Sequence, residues 1–290
     1  MTPFISVIVP FYNNRNEIGR CCASLRKQTY PKDRFELIFI DNNSTDNSAS
    51  IVAGHPGIQV LWESGAGAYA ARNLGIRKSK GEILAFTDAD CVVAPDWLSQ
   101  IAEAMHSENV QIVMGAYYGQ NTPFPANGLS SYENAKNRYI FTSGDESLYY
   151  GYTNNMAVRR GVFDQFGPFP EVARGGDAAL VRRVVSHGGA SIKYVPTMFV
   201  DHLEFQSVFD YYRKVYIHSS SVRRLHEGNI VRPLTNRERF TAFNEMVRTE
   251  HYSALQALVL RVILSAGMFF WIAGWLRPLP QGPGLPDGRN

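Results

Sequence analysis

Residues 83–90 read Ile-Leu-Ala-Phe-Thr-Asp-Ala-Asp, an uncharged run that leads directly into two aspartates separated by one residue. A short continuous apolar run is typical of a strand buried on both faces of a parallel sheet. In an extended segment, side chains two positions apart point to the same side, so Asp88 and Asp90 would face one spot. Two adjacent carboxylates repel each other unless a cation lies between them, and oxygen ligands suit Mg²⁺ or Mn²⁺. A solvated turn without chemistry is the alternative.

Strand and helix patterns alternate on both sides of this stretch. Further apolar runs predict strands at 6–9, 35–40, 59–62 and 111–118, and amphipathic or capped segments predict helices at 17–28, 68–78 and 95–105. This alternation predicts an α/β fold, Rossmann-like, with a mostly parallel central sheet and helices on both faces. Such sheets bind their ligands beyond the carboxyl ends of the strands.

The composition narrows the class of protein. The chain has 290 residues, 45% of them hydrophobic, which is enough for one large α/β domain with an appendage. A net charge of +3 with 19% charged residues excludes an acidic disordered chain and a polybasic arm, so no nucleic-acid partner is expected. Three cysteines without a CxxC pair predict neither a disulfide framework nor structural zinc, and they indicate a reducing compartment.

The middle and the end of the chain differ in character from the first half. Residues 119–152 are rich in aromatic side chains and are expected to form a loop-rich insertion that shapes a pocket. Residues 206–250 are predicted to form a polar, basic helical extension. The tail at 277–290 is rich in proline and glycine and is expected to be disordered.

A long apolar segment occupies 254–276 and is interrupted by Arg261. Its length allows it to cross a bilayer if Arg261 packs against a partner or reaches the interface. Trp271 and Trp275 near one end favour membrane contact, which we expect at the cytoplasmic side of the cell membrane. A helix that lies on the membrane surface and a buried core helix are the alternatives.

The segment at 64–72, Ser-Gly-Ala-Gly-Ala-Tyr-Ala-Ala-Arg, supports two interpretations. Gly65, Gly67 and Ala70 match the GxGxxA pattern of dinucleotide-binding proteins, with an aspartate about twenty residues later. One hypothesis is therefore an NAD(P)- or flavin-dependent Rossmann oxidoreductase. That pattern normally opens the fold, however, whereas two strand–helix units precede it here. In the other interpretation the glycines form a flexible loop, and Arg72 binds an anionic phosphate from a helix.

Beyond residue 72, three more residues are candidates for chemistry. Asp177 follows two glycines at a predicted helix start, and it is either a helix cap or a general base. His202 follows a β-branched strand, and it is either a structural residue or a metal ligand. Cys91, directly after the aspartate pair, is expected to be a buried apolar residue and not a nucleophile.

Five stretches together resemble the family 2 glycosyltransferases of the GT-A fold. They occur in the family's order, as VIVPFYN at 7–13, IDNNSTD at 40–46, AARNLG at 70–75, DADCVVAPDW at 88–97 and TNNMAVRR at 153–160. The resemblance implies a GT-A domain over 1–205, with a donor-binding half at about 1–118 and an acceptor-binding half at about 119–205. Because no QxxRW motif is present, a non-processive enzyme is favoured over a polysaccharide synthase.

The resemblance also implies a nucleotide-sugar donor, most often UDP-linked, and residues that would bind it. The base and ribose would be held by Pro10, Tyr12, Asn13 and Asp41, with Arg72 near the uracil or the diphosphate. Asn42 stands where the commoner form of the family's motif has a second acid.

The same resemblance assigns the metal and the base. Asp88 and Asp90 would place Mn²⁺ or Mg²⁺ on the diphosphate, with Asp90 as the direct ligand. His202 matches a histidine that completes the metal shell in some GT-A enzymes. Asp177 matches the aspartate of the family's ED motif, the base that takes a proton from a glycan, lipid-linked or other hydroxyl acceptor in an inverting displacement. Gly176 stands where that motif has glutamate, so a catalytically inactive nucleotide-sugar-binding protein is a further hypothesis.

Overall fold

The computed structural model describes residues 2–118, 122–172, 174–188, 191–202, 207–227 and 232–276. The strands are β1 (Ile5–Phe11), β2 (Phe35–Asp41), β3 (Ile58–Trp62), β4 (Ile83–Thr87), β5 (Cys91–Val93), β6 (Val110–Tyr118), β7 (Asn155–Arg159) and β8 (Ser191–His202). The α-helices are α1 (Ile18–Arg26), α2 (Ser48–Ala53), α3 (Ala68–Lys78), α4 (Trp97–Ala104), α5 (Ala126–Thr142), α6 (Arg160–Phe166), α7 (Gly176–Ser186), α8 (Val208–Glu227), α9 (Asn236–Thr249) and α10 (Ala254–Leu276).

The strands form one eight-stranded sheet in the order β3-β2-β1-β4-β7-β6-β8-β5. Strand β1 pairs in parallel with β2 and β4, and β2 pairs in parallel with β3. Strand β7 runs antiparallel to both of its neighbours, β4 and β6. The predicted α/β fold is therefore confirmed, with a parallel half that begins the chain and one reversed strand in the middle of the sheet.

Helix α3 lies unusually close to the parallel half of the sheet. A Cβ atom on Gly75 would lie 2.6 Å from Ile8 Cγ2 and 3.0 Å from Ile40 Cδ1. Real Cβ atoms do not approach other heavy atoms this closely, so a larger residue would push the helix away from β1 and β2. Glycine at position 75 thus sets the height of α3 above the strand ends.

A buried asparagine ties the second half of the sheet together. Asn155 in β7 is 0% exposed, and its Nδ2 donates to the carbonyls of Ala116 in β6 at 2.7 Å and Met198 in β8 at 2.8 Å. Its Oδ1 accepts a hydrogen bond of 2.8 Å from Nε1 of Trp97, the first residue of α4. Because buried polar groups need partners, this side chain fixes three elements relative to β7.

The described residues divide into two compact units, the first comprising 2–116 and 150–201 and the second 117–149 and 202–276. The second unit contains α5, α8, α9 and α10, and its core includes Leu129, Tyr132, Phe243 and Leu260. The expectation of a loop-rich insertion at 119–152 is wrong for 126–142, which forms the 17-residue helix α5. Its aromatic side chains are buried by helices more than sixty residues away, which local patterning cannot reveal.

The apolar segment forms α10 over the predicted 254–276 and is the one helix among the described residues that is long and apolar enough to cross a membrane. It packs along α8, where the Tyr212 hydroxyl donates to the carbonyl of Ile263 at 3.1 Å. Arg261 packs against α9: its Nη2 donates to Asn244 Oδ1 at 3.2 Å, and its guanidinium lies 5.1 Å from the ring centroid of Phe243. The predicted disordered tail at 277–290 lies outside the described residues, and the predicted division into donor and acceptor halves stays a prediction.

We expect Asn155→Ala to lower the free energy of unfolding by about 2–4 kcal/mol, because it leaves the Trp97 indole N–H and two buried carbonyls without their partner. Urea unfolding measures the change. Asn16→Ala is the matched control, since Asn16 is exposed, and it should stay within about 0.5 kcal/mol of the parent protein. Equal stability of the two variants would show that the Asn155 contacts do not hold the sheet.

Candidate active site

Most of the residues predicted to form the site lie at or after the carboxyl ends of β1, β2, β3 and β4, whereas Asp177 lies on α7 and His202 ends β8. These four strands are parallel neighbours, so their carboxyl ends meet at one edge of the sheet. Ligand sites of open α/β sheets are found at this edge. The topology therefore brings the predicted donor-binding segments together.

The loops after β1 and β2 are locked to each other by side-chain hydrogen bonds. Asn13 has a positive φ of 51°, and its Oδ1 accepts the backbone N–H groups of Thr45 at 2.8 Å and Asp46 at 3.3 Å. Asp41, the last residue of β2, is 2% exposed, and its Oδ1 accepts the N–H of Ser44 at 2.9 Å. Asn13 and Asp41 therefore shape the loops, which is a structural task that the sequence pattern alone did not separate from ligand binding.

Tyr12 differs from these two residues because its ring faces outward. Pro10 lies within β1 and pairs with Ile40, whereas Tyr12 follows the end of the strand and is 40% exposed. Its backbone N–H donates to Asn14 Oδ1 at 3.2 Å, which fixes the main chain beneath the ring. An aromatic ring exposed at the edge of the site is suited to stack on a flat ring of a ligand.

Asn42 is bonded in a way that requires an amide. Its Nδ2 donates to the carbonyls of Glu63 at 3.0 Å and Gly65 at 2.6 Å, while its Oδ1 accepts the N–H of Gly67 at 2.9 Å. An ionised carboxylate only accepts hydrogen bonds and would lose two of these three contacts. The amide at position 42 is thus explained by the loop that it holds.

The same loop argues against a dinucleotide site. The GxGxxA pattern binds a pyrophosphate through free backbone N–H groups, but the N–H of Gly65 donates to Glu63 Oε1 at 2.8 Å. The N–H of Gly67 is taken by Asn42. The segment also follows the third strand, at the edge of the sheet. These contacts do not support the oxidoreductase hypothesis.

The aspartate pair follows β4 in a turn and not in the extended conformation that we expected. The N–H of Cys91 donates to the carbonyl of Asp88 at 3.1 Å, so residues 88–91 reverse direction as the chain leaves β4 for β5. The charges of both carboxylates still act on the same two buried thiols. Burial raises the pKa of both the Cys21 and Cys91 thiols, and the charges of Asp90 and Asp88 raise it further. The two thiols thus stay neutral, as predicted for Cys91, and all three cysteines are free and buried.

Arg72 forms the central ion pair of the site. Its Nη2 donates to Asp88 Oδ1 at 2.6 Å, and the Arg72 side chain is 6% exposed, against 32% for that of Asp88. Its Nε is buried and has no hydrogen-bond partner among the described residues. A buried guanidinium group with one unsatisfied donor beside a partly open carboxylate is a place where an anionic ligand would complete the hydrogen bonding.

Asp177 is held at both carboxylate oxygens. Oδ1 accepts the hydroxyl of Tyr69 at 2.8 Å and the N–H of Ala178 at 2.9 Å, and Oδ2 accepts the N–H of Thr153 at 3.1 Å. The N-cap of α7 is Gly175, so Asp177 lies in the first turn and is not the cap. Burial raises the pKa of the Asp177 carboxyl, although the hydrogen bond from Tyr69 and the charge of Arg72 act in the opposite direction. A fixed carboxylate with a raised pKa is suited to proton transfer.

Helix α3 connects the strand ends with the segment before α7. Tyr69 and Arg72 point to Asp177 and Asp88, and Asn73 Nδ2 donates to the carbonyl of Phe169 at 2.9 Å. Tyr69 was not among the predicted site residues. Its position three residues before Arg72 was the available signal, because residues three apart share a helix face.

Thr153 was quoted only as part of a motif, and the structure places it against Asp177. His202 is the last residue of β8. Its assignment as a metal ligand stays a prediction.

The chain is similar in sequence to known glycosyltransferases. The model of glycosyl transferase family 2 matches residues 6–167, which are 162 of the 290 residues. Glycosyltransferase AglE of Haloferax volcanii is 33% identical over 194 residues, covering 64% of this chain and 62% of AglE. The aligned region therefore spans less than two thirds of that relative.

Two solved structures show the same fold. The mannosyltransferase PcManGT from Pyrobaculum calidifontis, in complex with GDP-Man and Mn²⁺, has a TM-score of 0.66 at 18% identity and covers 94% of this chain and 86% of its own. S. aureus TarS 1–349 in complex with UDP-GlcNAc has a TM-score of 0.55 at 20% identity and covers 93% of this chain and 79% of its own. The sequence match and the shared GT-A architecture together show that the chain belongs to glycosyl transferase family 2.

Proposed function

We propose that the chain is an inverting glycosyltransferase that moves one sugar from a nucleotide-diphosphate donor, UDP-linked, to a hydroxyl group of a glycan or lipid-linked acceptor. The observation that carries the proposal is the contact series Asp88–Arg72–Tyr69–Asp177, which joins a phosphate-binding side to a proton-accepting side within one site. Family membership supports the reaction class. The bound donors of PcManGT and TarS support a nucleotide sugar as the substrate.

The donor side is built for an anion next to an aromatic base. The buried guanidinium of Arg72 offers its unsatisfied Nε to a diphosphate oxygen. The exposed ring of Tyr12 is proposed to stack on the base. Pro10 near the end of β1 is proposed to help hold the base and the ribose together with Asn13 and Asp41, whose hydrogen bonds shape the loops there.

The residues after β4 fit a divalent cation. Asp88 and Asp90 supply carboxylate oxygens, which Mg²⁺ and Mn²⁺ prefer when they are shared with substrate phosphates. His202 is proposed as a third ligand. When bound there, the ion would stabilise the negative charge that develops on the leaving diphosphate.

Asp177 is proposed as the general base. Its Oδ1 accepts hydrogen bonds of 2.8 and 2.9 Å, whereas Oδ2 accepts two longer ones, from the N–H of Thr153 at 3.1 Å and from the Thr153 hydroxyl at 3.4 Å. Oδ2 is therefore proposed to take the proton of the acceptor hydroxyl, which would replace the long hydrogen bond from Thr153 Oγ1. The deprotonated oxygen then attacks the anomeric carbon opposite the leaving group, which inverts the configuration.

The second candidate, an inactive protein that only binds nucleotide sugars, was suggested by Gly176. Its distinguishing result is donor binding without transfer to any of a broad set of acceptors. A thermal-shift assay of donor binding and a transfer assay of turnover together separate the two candidates.

We expect UDP-sugars with Mn²⁺ to raise the melting temperature of the protein, because ligands that bind only the native state stabilise it. GDP-mannose serves as the alternative donor. Arg72→Leu should abolish the shift, while Arg77→Leu should keep it, since Arg77 lies on the same helix with its side chain 58% exposed. A thermal-shift assay with and without Mn²⁺ makes the comparison. An undiminished shift in Arg72→Leu would contradict the proposed role of Arg72.

We expect Asp177→Asn to lower the transfer rate by at least about 100-fold while donor binding persists, because the amide cannot accept the proton. Since the pKa of Asp177 is raised, the rate of the parent enzyme should fall on the acid side already above about pH 4, the usual range of an aspartate. The matched control is Asp164→Asn, at an exposed position of α6. Full transfer by Asp177→Asn would remove the base assignment.

The chain is further proposed to act at a membrane face through α10. Six outward residues follow at spacings of three, four and seven, which places them on one helix face: Leu255, Leu258, Val262, Phe269, Ile272 and Leu276. The opposite face is buried in the second unit at Ala257, Leu260, Gly267 and Gly274. An exposed apolar stripe of about 30 Å is the kind of surface that contacts lipid. We place the contact at the cytoplasmic face of the membrane, in a reducing compartment.

We expect the purified protein to float with phospholipid vesicles in a density gradient, and Leu258→Glu/Phe269→Glu to lose most of this binding, because each charge raises the cost of inserting the stripe. Trp62→Glu is the matched control, since Trp62 is a 62% exposed aromatic residue of the first unit. Equal loss in the control would show that added charge, and not the α10 stripe, governs the binding. No flotation of the parent protein would contradict the membrane proposal.

A further inference from the structure

Tyr69 contacts both charged ends of the site. Its hydroxyl donates to Asp177 Oδ1 at 2.8 Å, and the Arg72 guanidinium carbon lies 5.3 Å from the centroid of its ring. The ring also packs against Phe169 with a centroid distance of 5.7 Å. Tyr69 is 7% exposed, and hydrogen bonds and cation–π contacts are stronger when they are shielded from water.

The ring of Tyr69 also accounts for the glycine that precedes Asp177. A Cβ atom on Gly176 would lie 3.1 Å from both Cδ1 and Cδ2 of Tyr69, and 2.7 Å from the carbonyl oxygen of Pro170. A glutamate at this position would displace the ring or the backbone of Pro170. Position 176 is thus limited to glycine first by the backbone carbonyl of Pro170 and in addition by the ring of Tyr69, the residue that donates to Asp177.

We propose that Tyr69 is a positioning residue for sugar transfer, and that it is paired with Gly176. Its hydroxyl holds Oδ1 of Asp177, and its ring supports Arg72 at the diphosphate. The residue therefore aligns the acceptor side with the donor side from one position on α3. This inference rests on the proposed function for its effect on the reaction, whereas the pairing with Gly176 is a property of the fold.

The hydrogen bond from Tyr69 favours Oδ2 of Asp177 as the oxygen that acts. The Tyr69 hydroxyl and the Ala178 N–H hold Oδ1 at 2.8 and 2.9 Å, whereas Oδ2 has the longer hydrogen bonds, of 3.1 and 3.4 Å, from the N–H and hydroxyl of Thr153, so the proton of the acceptor goes to Oδ2. Without the Tyr69 hydroxyl, the carboxylate loses its shortest hydrogen bond, and Oδ1 is held by the Ala178 N–H alone. The negative charge also loses a donor that stabilises it, so the pKa of Asp177 rises, with Arg72 remaining as the nearby positive charge.

The first experiment compares Tyr69→Phe with Tyr30→Phe. Tyr30 is a matched control, because it is 5% exposed and its hydroxyl donates to the carbonyl of Pro3 at 2.6 Å, in a contact that involves no site residue. Phenylalanine at position 69 keeps the ring beneath Arg72. We expect kcat to fall about tenfold or more with the KM for the donor within about twofold, since a hydrogen bond to a charged group is lost. The acid limb of the pH–rate profile should move to higher pH by about one unit.

The kcat, the KM for the donor and the pH–rate profile of the two variants together decide whether Tyr69 positions Asp177. An unchanged kcat and pH profile in Tyr69→Phe would overturn the proposal. So would an equal change in Tyr30→Phe, because the effect would then follow from the loss of any buried hydroxyl. Absence of transfer by the parent protein would count against the proposed function alone, and the second experiment still tests the pairing.

The second experiment measures unfolding and needs no activity. Gly176→Glu is expected to lower the melting temperature clearly, and adding Tyr69→Ala should restore part of the loss, because it removes the contact with the ring while the contact with the Pro170 carbonyl remains. Gly161→Glu in α6 is the control, since a Cβ there meets no atom within 4 Å. Additive losses in the double variant, or a Gly176→Glu variant as stable as Gly161→Glu, would overturn the pairing.

Discussion

The buried positive charge of Arg72 is the constraint on which the site depends. A guanidinium with a 6% exposed side chain is costly to bury unless a carboxylate pairs with it, and Asp88 does so at 2.6 Å. This need fixes the N-terminal half of α3 relative to the end of β4. Gly75 also fixes the position of α3, since the absence of a side chain allows the helix to lie against Ile8 and Ile40 of the sheet. The Arg72–Asp88 ion pair and the close packing at Gly75 therefore both determine where α3 lies.

Once α3 is placed, its side chains determine the position of Asp177. Asn73 Oδ1 accepts a hydrogen bond of 3.1 Å from the N–H of Phe169, and Asn73 Nδ2 donates to the Phe169 carbonyl. These two bonds fix the segment that leads to α7. Tyr69 then reaches Asp177 in the first turn of that helix. Helix α3 thus carries side chains to both Asp88 and Asp177. Its geometry explains why Asp177, which lies more than a hundred residues from Tyr69 in the chain, is found at a fixed place.

The fold and the gathering of the loops that follow the parallel strands could be predicted because their signals are local. The apolar run before Asp88 ends a strand as expected, and α3 and α10 begin and end where the pattern indicates. What escaped prediction depends on contacts that are distant in the chain. Helix α5 obtains its burial from α9 and α10, and Tyr69 obtains its role from Asp177. The turn at Asp88 depends on where β5 pairs, which no pattern near the two aspartates contains.

Two departures from the family pattern have a stereochemical cause in this chain. Asn42 replaces an acid because its amide donates to the carbonyls of Glu63 and Gly65, which a carboxylate cannot do. Gly176 replaces a glutamate because the ring of Tyr69 and the carbonyl of Pro170 fill the space of a side chain. In both places the substitution is matched by a neighbouring contact that requires it. A missing motif residue is therefore weak evidence for lost activity when the structure shows another side chain occupying its place.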